Sequence, residues 1–131
     1  MLGAVAGDII GSPYEWNNTQ DRYFELCRGT RGWFRGREIT FHPKFTDDTV
    51  MTLAVARWLM SDGDRNASRL IQVMQSMGRE YIDSGFAPMF KRWILSEDPH
   101  PNNSYGNGAA MRVSPVAMVA RSLPEAITLA R

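Results

Sequence analysis

The stretch "FTDDTVMTLAVARWLM", residues 45–60, decides the fold. From Thr49 to about Met60 its apolar residues keep helical spacing. Met51, Ala54, Val55 and Trp58 form one stripe, with Val50 and Leu53 beside it. Ahead of this helix stand two adjacent carboxylates, Asp47 and Asp48, between Thr46 and Thr49. Two readings are open for them. Acidic residues and threonines are favoured at a helix start, where free N–H groups want acceptors. One capping residue is enough, however, and a second carboxylate next to it adds repulsion. An oxygen-only cluster also suits a hard divalent cation, whose charge offsets that repulsion.

Working outward, the N-terminal segment places Leu2, Val5, Ala6, Ile9 and Ile10 on an amphipathic stripe, which Pro13 ends. Gly3, Gly7 and Gly11 recur along a neighbouring face, each costing about 1 kcal/mol relative to alanine. Such a cost implies close approach of another backbone or a ligand. Residues 16–44 keep no sustained period and predict a long irregular segment, with Trp33, Phe34 and Phe41 pinning it to the body. Beyond "SDGD" a second stripe runs through Leu70, Val73, Met74, Met77 and Tyr81, with Asn66 as N-cap and Gly85 near its end. A short helix is expected around residues 88–95, and "AAMRVSPVAMVAR" reads as a further helix bent at Pro115. Ser122 and Glu125 stand at capping-box spacing, yet Arg131 follows barely two turns later. No convincing β-alternation is present. The expected fold is all-α, an irregular helical bundle whose end looks cut.

Bulk composition narrows the function. With 131 residues, 44% apolar and 22% charged, the chain has the make-up of one soluble domain. A formal net charge of +1 gives no reason to expect nucleic acid or an anionic membrane as partner. Arginines gather between Arg22 and Arg37, but Asp21, Glu25 and Glu38 interrupt them, which suits a solvated loop. Cys27 is the single cysteine, so no intrachain disulfide forms. Met1 runs straight into "LGAVAGDIIG" without a basic leader, and no apolar run approaches the roughly 20 residues that span a bilayer. A cytoplasmic location is the expectation.

Two further motifs bear on chemistry. In "GAVAGDIIGSPYE", Asp8 lies within an apolar helix and Glu15 follows the proline that ends it. A carboxylate there needs a partner, or exposure to a polar cleft or solvent. In "NSYGNGAAMR", residues 103–112, glycines on both sides of Asn107 let backbone approach a ligand, and the following helix start offers N–H groups to a phosphate. The bland alternative is a loop-to-helix turn capped by Asn107.

Taken in order, "GAVAGDIIGSPYE", "FTDDTVMTLA" and "GNGAAMRVSPVAM" closely resemble the ADP-ribosylglycohydrolase family, over residues 2 to about 119. The resemblance implies an all-α fold with a two-metal centre, of Mg²⁺ or Mn²⁺, at the base of a cleft that binds ADP-ribose. It implies hydrolysis of the N- or O-glycosidic bond joining ADP-ribose to a modified side chain or small molecule. Carried over by motif, Thr46, Asp47 and Asp48 are metal ligands. Glu15 sits beside the metals, and Glu15 and Asp47 serve catalysis. Ser104, Tyr105, Gly106, Asn107 and Gly108 contact the diphosphate and ribose.

This sequence departs from the family pattern in one large respect. A second metal motif of the type Asp-x-Asp-Thr is absent after residue 49, and "SDGD" at 61–64 has the wrong spacing. The chain is therefore expected to be the N-terminal portion of a single domain, to hold at most one ion alone, and to be incomplete as an enzyme. A second chain or self-association completing the fold is one expectation. A non-catalytic ADP-ribose-binding or crystallin-like structural module is the alternative.

Overall fold

The computed structural model describes residues 1–15, 29–34, 36–63 and 65–131. Cys27 and most of the arginine-rich stretch fall outside the described residues. The chain divides into two compact units, residues 1–46 and 47–131.

The first unit opens with helix α1 (Leu2–Gly11), continued by a 3₁₀ turn over Ser12–Tyr14 that holds the buried Pro13. Proline lacks an N–H and fits the start of such a turn, so it redirects the chain without leaving a donor unpaired. An antiparallel hairpin follows, β1 (Thr30–Phe34) with β2 (Arg37–Phe41), in the register Thr30↔Phe41 to Phe34↔Arg37. The sequence reading expected irregular chain here. The strands are only five residues each, and Arg31, Gly32, Arg37 and Glu38 interrupt the apolar alternation, while the β-branched and aromatic content favours pairing. Gly36, at φ 76°, supplies the positive angle of a tight connection. Phe41 is half-buried; the side chains of Trp33 and Phe34 lie outside the described residues.

Two side chains one turn apart, Asp8 on α1 and Ser12 just past its end, tie this unit's end to its beginning. Ser12 Oγ donates to Ile9 O at 3.1 Å and accepts from Lys44 N at 3.0 Å. Asp8 accepts from Thr46, as described below. The glycine face of α1 has no such use: a Cβ on Gly3, Gly7 or Gly11 would meet nothing within 4 Å among the described residues. Close packing at these glycines, expected from the sequence, is not what the described residues show.

The second unit is helical throughout, built on α2 (Asp47–Met60) with α3 (Ala67–Glu80), α4 (Pro88–Leu95), α5 (Gly108–Met111), α6 (Ser114–Val119) and α7 (Leu123–Ala130). Helix α2 is buried on more than one side, through Val50, Met51, Ala54, Val55, Ala56, Trp58 and Leu59. It is apolar nearly all round, and its neighbours α3, α5 and α6 surround it. Helix α3 contributes Val73 and Met74, capped by Asn66, whose side chain accepts from Arg69 N at 2.9 Å. Helix α4 lies against α3 so closely that Gly78 faces Ile94, which is fully buried. Gln75 donates to Trp93 O and Ser96 O, at 3.0 and 2.9 Å, closing the end of α4.

The expected bent helix at Pro115 is instead two helices. Pro115 sits in the first turn of α6, where its missing N–H costs nothing, and α5 ends before it. The capping box at α7 is present in modified form. Ser122 Oγ accepts from Glu125 N at 3.3 Å, and Glu125 accepts from the backbone of Arg121 at 2.8 Å. The class is all-α, as the sequence predicts, with one small hairpin added. No helix among the described residues is long and apolar enough to cross a membrane.

Candidate active site

Thr46 is 6% exposed and closes the first unit. Its backbone N–H donates to Asp8 Oδ2 and its hydroxyl to Asp8 Oδ1, both at 2.7 Å. One carboxylate therefore takes both donors of one residue. These charge-assisted bonds are short and fix both backbone and rotamer. The chemical consequence lies in the hydroxyl. With its proton committed to Asp8, Thr46 Oγ1 turns lone pairs toward whatever else approaches it. That is the polarity a cation ligand requires. Asp8 was legible in the sequence as a carboxylate needing a partner, but nothing in the spacing named Thr46, 38 residues on.

Asp47 and Asp48 occupy the first turn of α2 and are half-buried. The N–H groups of that turn and the helix dipole favour their negative charge. The sequence predicted a helix start at Thr49; the acids lie inside the helix because their charge suits that turn. Within the same unit, Gly85 lies beside Asp47: a Cβ built on Gly85 would stand 3.5 Å from Asp47 Oδ1. Sequence reasoning saw Gly85 only as a helix end. Glu15 follows the 3₁₀ turn at its C-cap and is exposed.

The donor chemistry of Thr46, Asp47 and Asp48 fits a hard cation in kind, being all oxygen. It falls short in number. Among the described residues, no three His, Cys, Asp or Glu side chains gather as a metal-holding group.

The glycine-rich loop is solvent-facing. Ser104, Tyr105, Gly106 and Asn107 are exposed, Tyr105 fully so. Ser104 Oγ accepts from Gly106 N at 3.1 Å, which folds the loop back on itself. Asn107 occupies the N-cap of α5, yet its side chain makes no capping bond; its carbonyl receives Ala110 N and Met111 N at 2.8 and 3.1 Å. Helix α5, which Gly108 begins, is a single turn. Its dipole is correspondingly small, so the loop's backbone rather than a helix end is what it offers a ligand. Arg112, just past α5, stands 5.8 Å from the centroid of Phe90, which stacks on Trp93 at 5.2 Å. Burial pushes its guanidinium below the ordinary arginine range.

Comparison with known proteins accords with these motifs. A family model described as ADP-ribosylglycohydrolase matches residues 1–131. The chain is 26% identical, over an alignment of 147 positions, to ADP-ribosylhydrolase ARH3 of Xenopus tropicalis, and 27% identical over 153 to that of Homo sapiens. Each alignment takes in 100% of this chain and 41% of the relative, so the chain spans about two fifths of their length. No solved structure matches. Matched from end to end, the chain belongs to the ADP-ribosylglycohydrolase family.

Proposed function

We propose that these 131 residues are the N-terminal portion of a single ADP-ribosylglycohydrolase domain, and that the whole protein cleaves the glycosidic bond joining ADP-ribose to a modified side chain or small molecule. The observation that carries this reading is the double hydrogen bond from Thr46 to Asp8, which commits the threonine's proton to the carboxylate and gives the hydroxyl oxygen the polarity of a ligand. A threonine serving only as a helix cap needs no such clamp.

In this reading Thr46, Asp47 and Asp48 hold one Mg²⁺ or Mn²⁺ ion, with the family's second ion dependent on residues outside this chain. A bound divalent cation supplies Lewis-acid polarisation of ribose hydroxyls and water. The chain's own residues do the positioning. Glu15 and Asp47 orient the attacking water. Ser104, Tyr105, Gly106, Asn107 and Gly108 bind the diphosphate and ribose, through backbone that glycine leaves uncovered. The bond from the anomeric carbon to the side-chain nitrogen or oxygen breaks, water oxygen takes its place, and the proton leaves with the side chain. Positioned negative charge stabilises the oxocarbenium-like state without a covalent nucleophile. The single cysteine and the absence of a long apolar run support the cytoplasm as the place of action.

A second reading, a non-catalytic ADP-ribose-binding or structural module, is favoured by one observation: no three acidic, histidine or cysteine side chains gather as a metal-holding group among the described residues. Isothermal titration with Mn²⁺, Mg²⁺ and ADP-ribose separates the two. Metal-enhanced ADP-ribose binding that Asp47→Asn or Asp48→Asn abolishes is the expected result. ADP-ribose binding indifferent to metal and to both substitutions selects the binding module. Binding of neither by a folded chain sinks both unless a second chain restores it.

A further inference from the structure

Arg112 is half-buried, whereas the other arginines of the second unit are all exposed. It stands at the C-cap of α5, its guanidinium carbon 5.8 Å from the centroid of the Phe90 ring. That ring belongs to a small aromatic array. Trp93 stacks on it at 5.2 Å with 10° between the planes, and the buried Phe86 lies 5.6 Å away. An aromatic face attracts a cation, but it occupies few of the five N–H donors that a guanidinium carries in its plane. Among the described residues no hydrogen bond or ion pair takes up those donors. Burial lowers the Arg112 pKa, and no neighbouring carboxylate offsets it. Other cations of the unit have oxygen partners: Lys91 is 3.9 Å from Asp83, Arg121 is 3.5 Å from Glu125, and Arg79 donates to Ile94 O at 3.0 Å. A partly desolvated cation without such a partner is destabilising, and an anion that supplied one would be held strongly.

The adjoining loop has the complementary shortfall. Residues 101–111 contain no charged side chain, so the glycine-rich loop offers a diphosphate backbone dipoles and hydroxyls but no positive charge. Arg112 is the first cation beyond it. Gly108 and Arg112 stand four positions apart across the single turn of α5, about 6 Å along its axis and on one face. We infer that Arg112 supplies the positive charge of the diphosphate site, its guanidinium donating to phosphate oxygen while the Phe90 ring holds its plane. The inference rests on the proposed reading of the loop as a diphosphate site, and it adds a charged residue to that site. A guanidinium can give two parallel bonds to a phosphate, which an ammonium cannot. The simpler role for Arg112 is packing, with its aliphatic stem covering Phe90 and its head in water. Packing alone ties the side chain to stability and not to the affinity for an anion.

The test uses the 131-residue chain with ADP-ribose as probe, titrated calorimetrically at low and high NaCl, alongside thermal melts. Arg112→Gln should weaken ADP-ribose binding by about ten- to hundredfold at low salt, the range for loss of a hydrogen bond to a charged group. It should also flatten the salt dependence, because the contact removed is between opposite charges. Wild-type affinity in a folded Arg112→Gln chain overturns the inference and leaves the loop reading intact. A loss of affinity with unchanged salt dependence overturns it too, since Arg112 would then only prop the loop. A folded wild-type chain that binds no ADP-ribose removes the loop reading together with this one. If Arg112→Gln does not fold, Arg112→Met keeps an unbranched apolar stem for Phe90 without the charge, and is judged by the same two measurements.

Discussion

Asp8 offers the sharpest test of how the motif threonine is prepared, because two substitutions there separate structure from ligation. Asp8→Ala removes both acceptors of Thr46, whose bonds are 2.7 Å each. Hydrogen bonds to charged groups contribute about 1.5–3 kcal/mol apiece. The two share one half-buried carboxylate, and water can replace part of what is lost, so about 2 kcal/mol in all is the expected cost. For a chain of this size that lowers the melting temperature by roughly 8 °C. Asp8→Asn behaves differently. Its amide oxygen can still accept from Thr46 N, and its NH₂ can donate to Thr46 Oγ1, so stability should stay within about 1 kcal/mol of wild type. The hydroxyl must then reverse: its lone pair is used by the amide and its proton points away from residue 8. Mn²⁺ affinity should fall by about ten- to hundredfold in a chain that melts almost normally. Thermal melts by circular dichroism and Mn²⁺ titration read the two quantities separately. An Asp8→Asn chain with wild-type Mn²⁺ affinity would refute the argument from hydroxyl polarity, and an Asp8→Ala chain with wild-type stability would refute the clamp.

Gly78→Ala should destabilise despite alanine's helix preference of about 1 kcal/mol. The new Cβ would stand 2.8 Å from Ile94 Cδ1 and 2.9 Å from its Cγ1, and overpacking of this kind costs about 1–3 kcal/mol. Ile94→Val in the same chain should recover part of the loss in urea midpoint; a single Gly78→Ala variant more stable than wild type would show that α3 and α4 have room to part. Glu125 gives a pH signature. The backbone N–H of Arg121 holds its carboxyl below the ordinary value of 4.5. A depressed folded pKa contributes stability that is complete above the unfolded value and fades as pH falls through the folded one. The melting-temperature difference between wild type and Glu125→Gln should therefore be present at neutral pH and shrink as pH falls below the ordinary carboxyl value of 4.5, whereas a difference unchanged by acid would assign the effect to packing.

How far the sequence alone reached depends on the range over which each signal acts. Helical periodicity is local, and it placed α2, α4 and the start of α3 within about two residues, because burial of one stripe is dictated by neighbours three and four positions away; the end of α3, expected near Gly85, comes at Glu80. Caps are local too: Asn66 and Ser122 are where side-chain chemistry requires them. The hairpin at residues 30–41 was missed because Gly32 and the arginines interrupt its alternation, and pairing between two short strands depends on a register that period-counting does not test. Pro115 was read as a bend because proline disrupts helix interiors, yet the same missing N–H suits a first turn, and only the tertiary path decides which applies.

The same division runs through the candidate site. The order and spacing of the motifs determined the family and nominated Thr46, Asp47 and Asp48, because ligand chemistry restricts residue types one by one. Tertiary structure alone decided that Asp8 clamps Thr46 across 38 residues and that the turn at Gly85 lies against Asp47. Both are contacts between segments that the chain brings together only on folding, and no periodicity in the sequence encodes which carboxylate meets which hydroxyl.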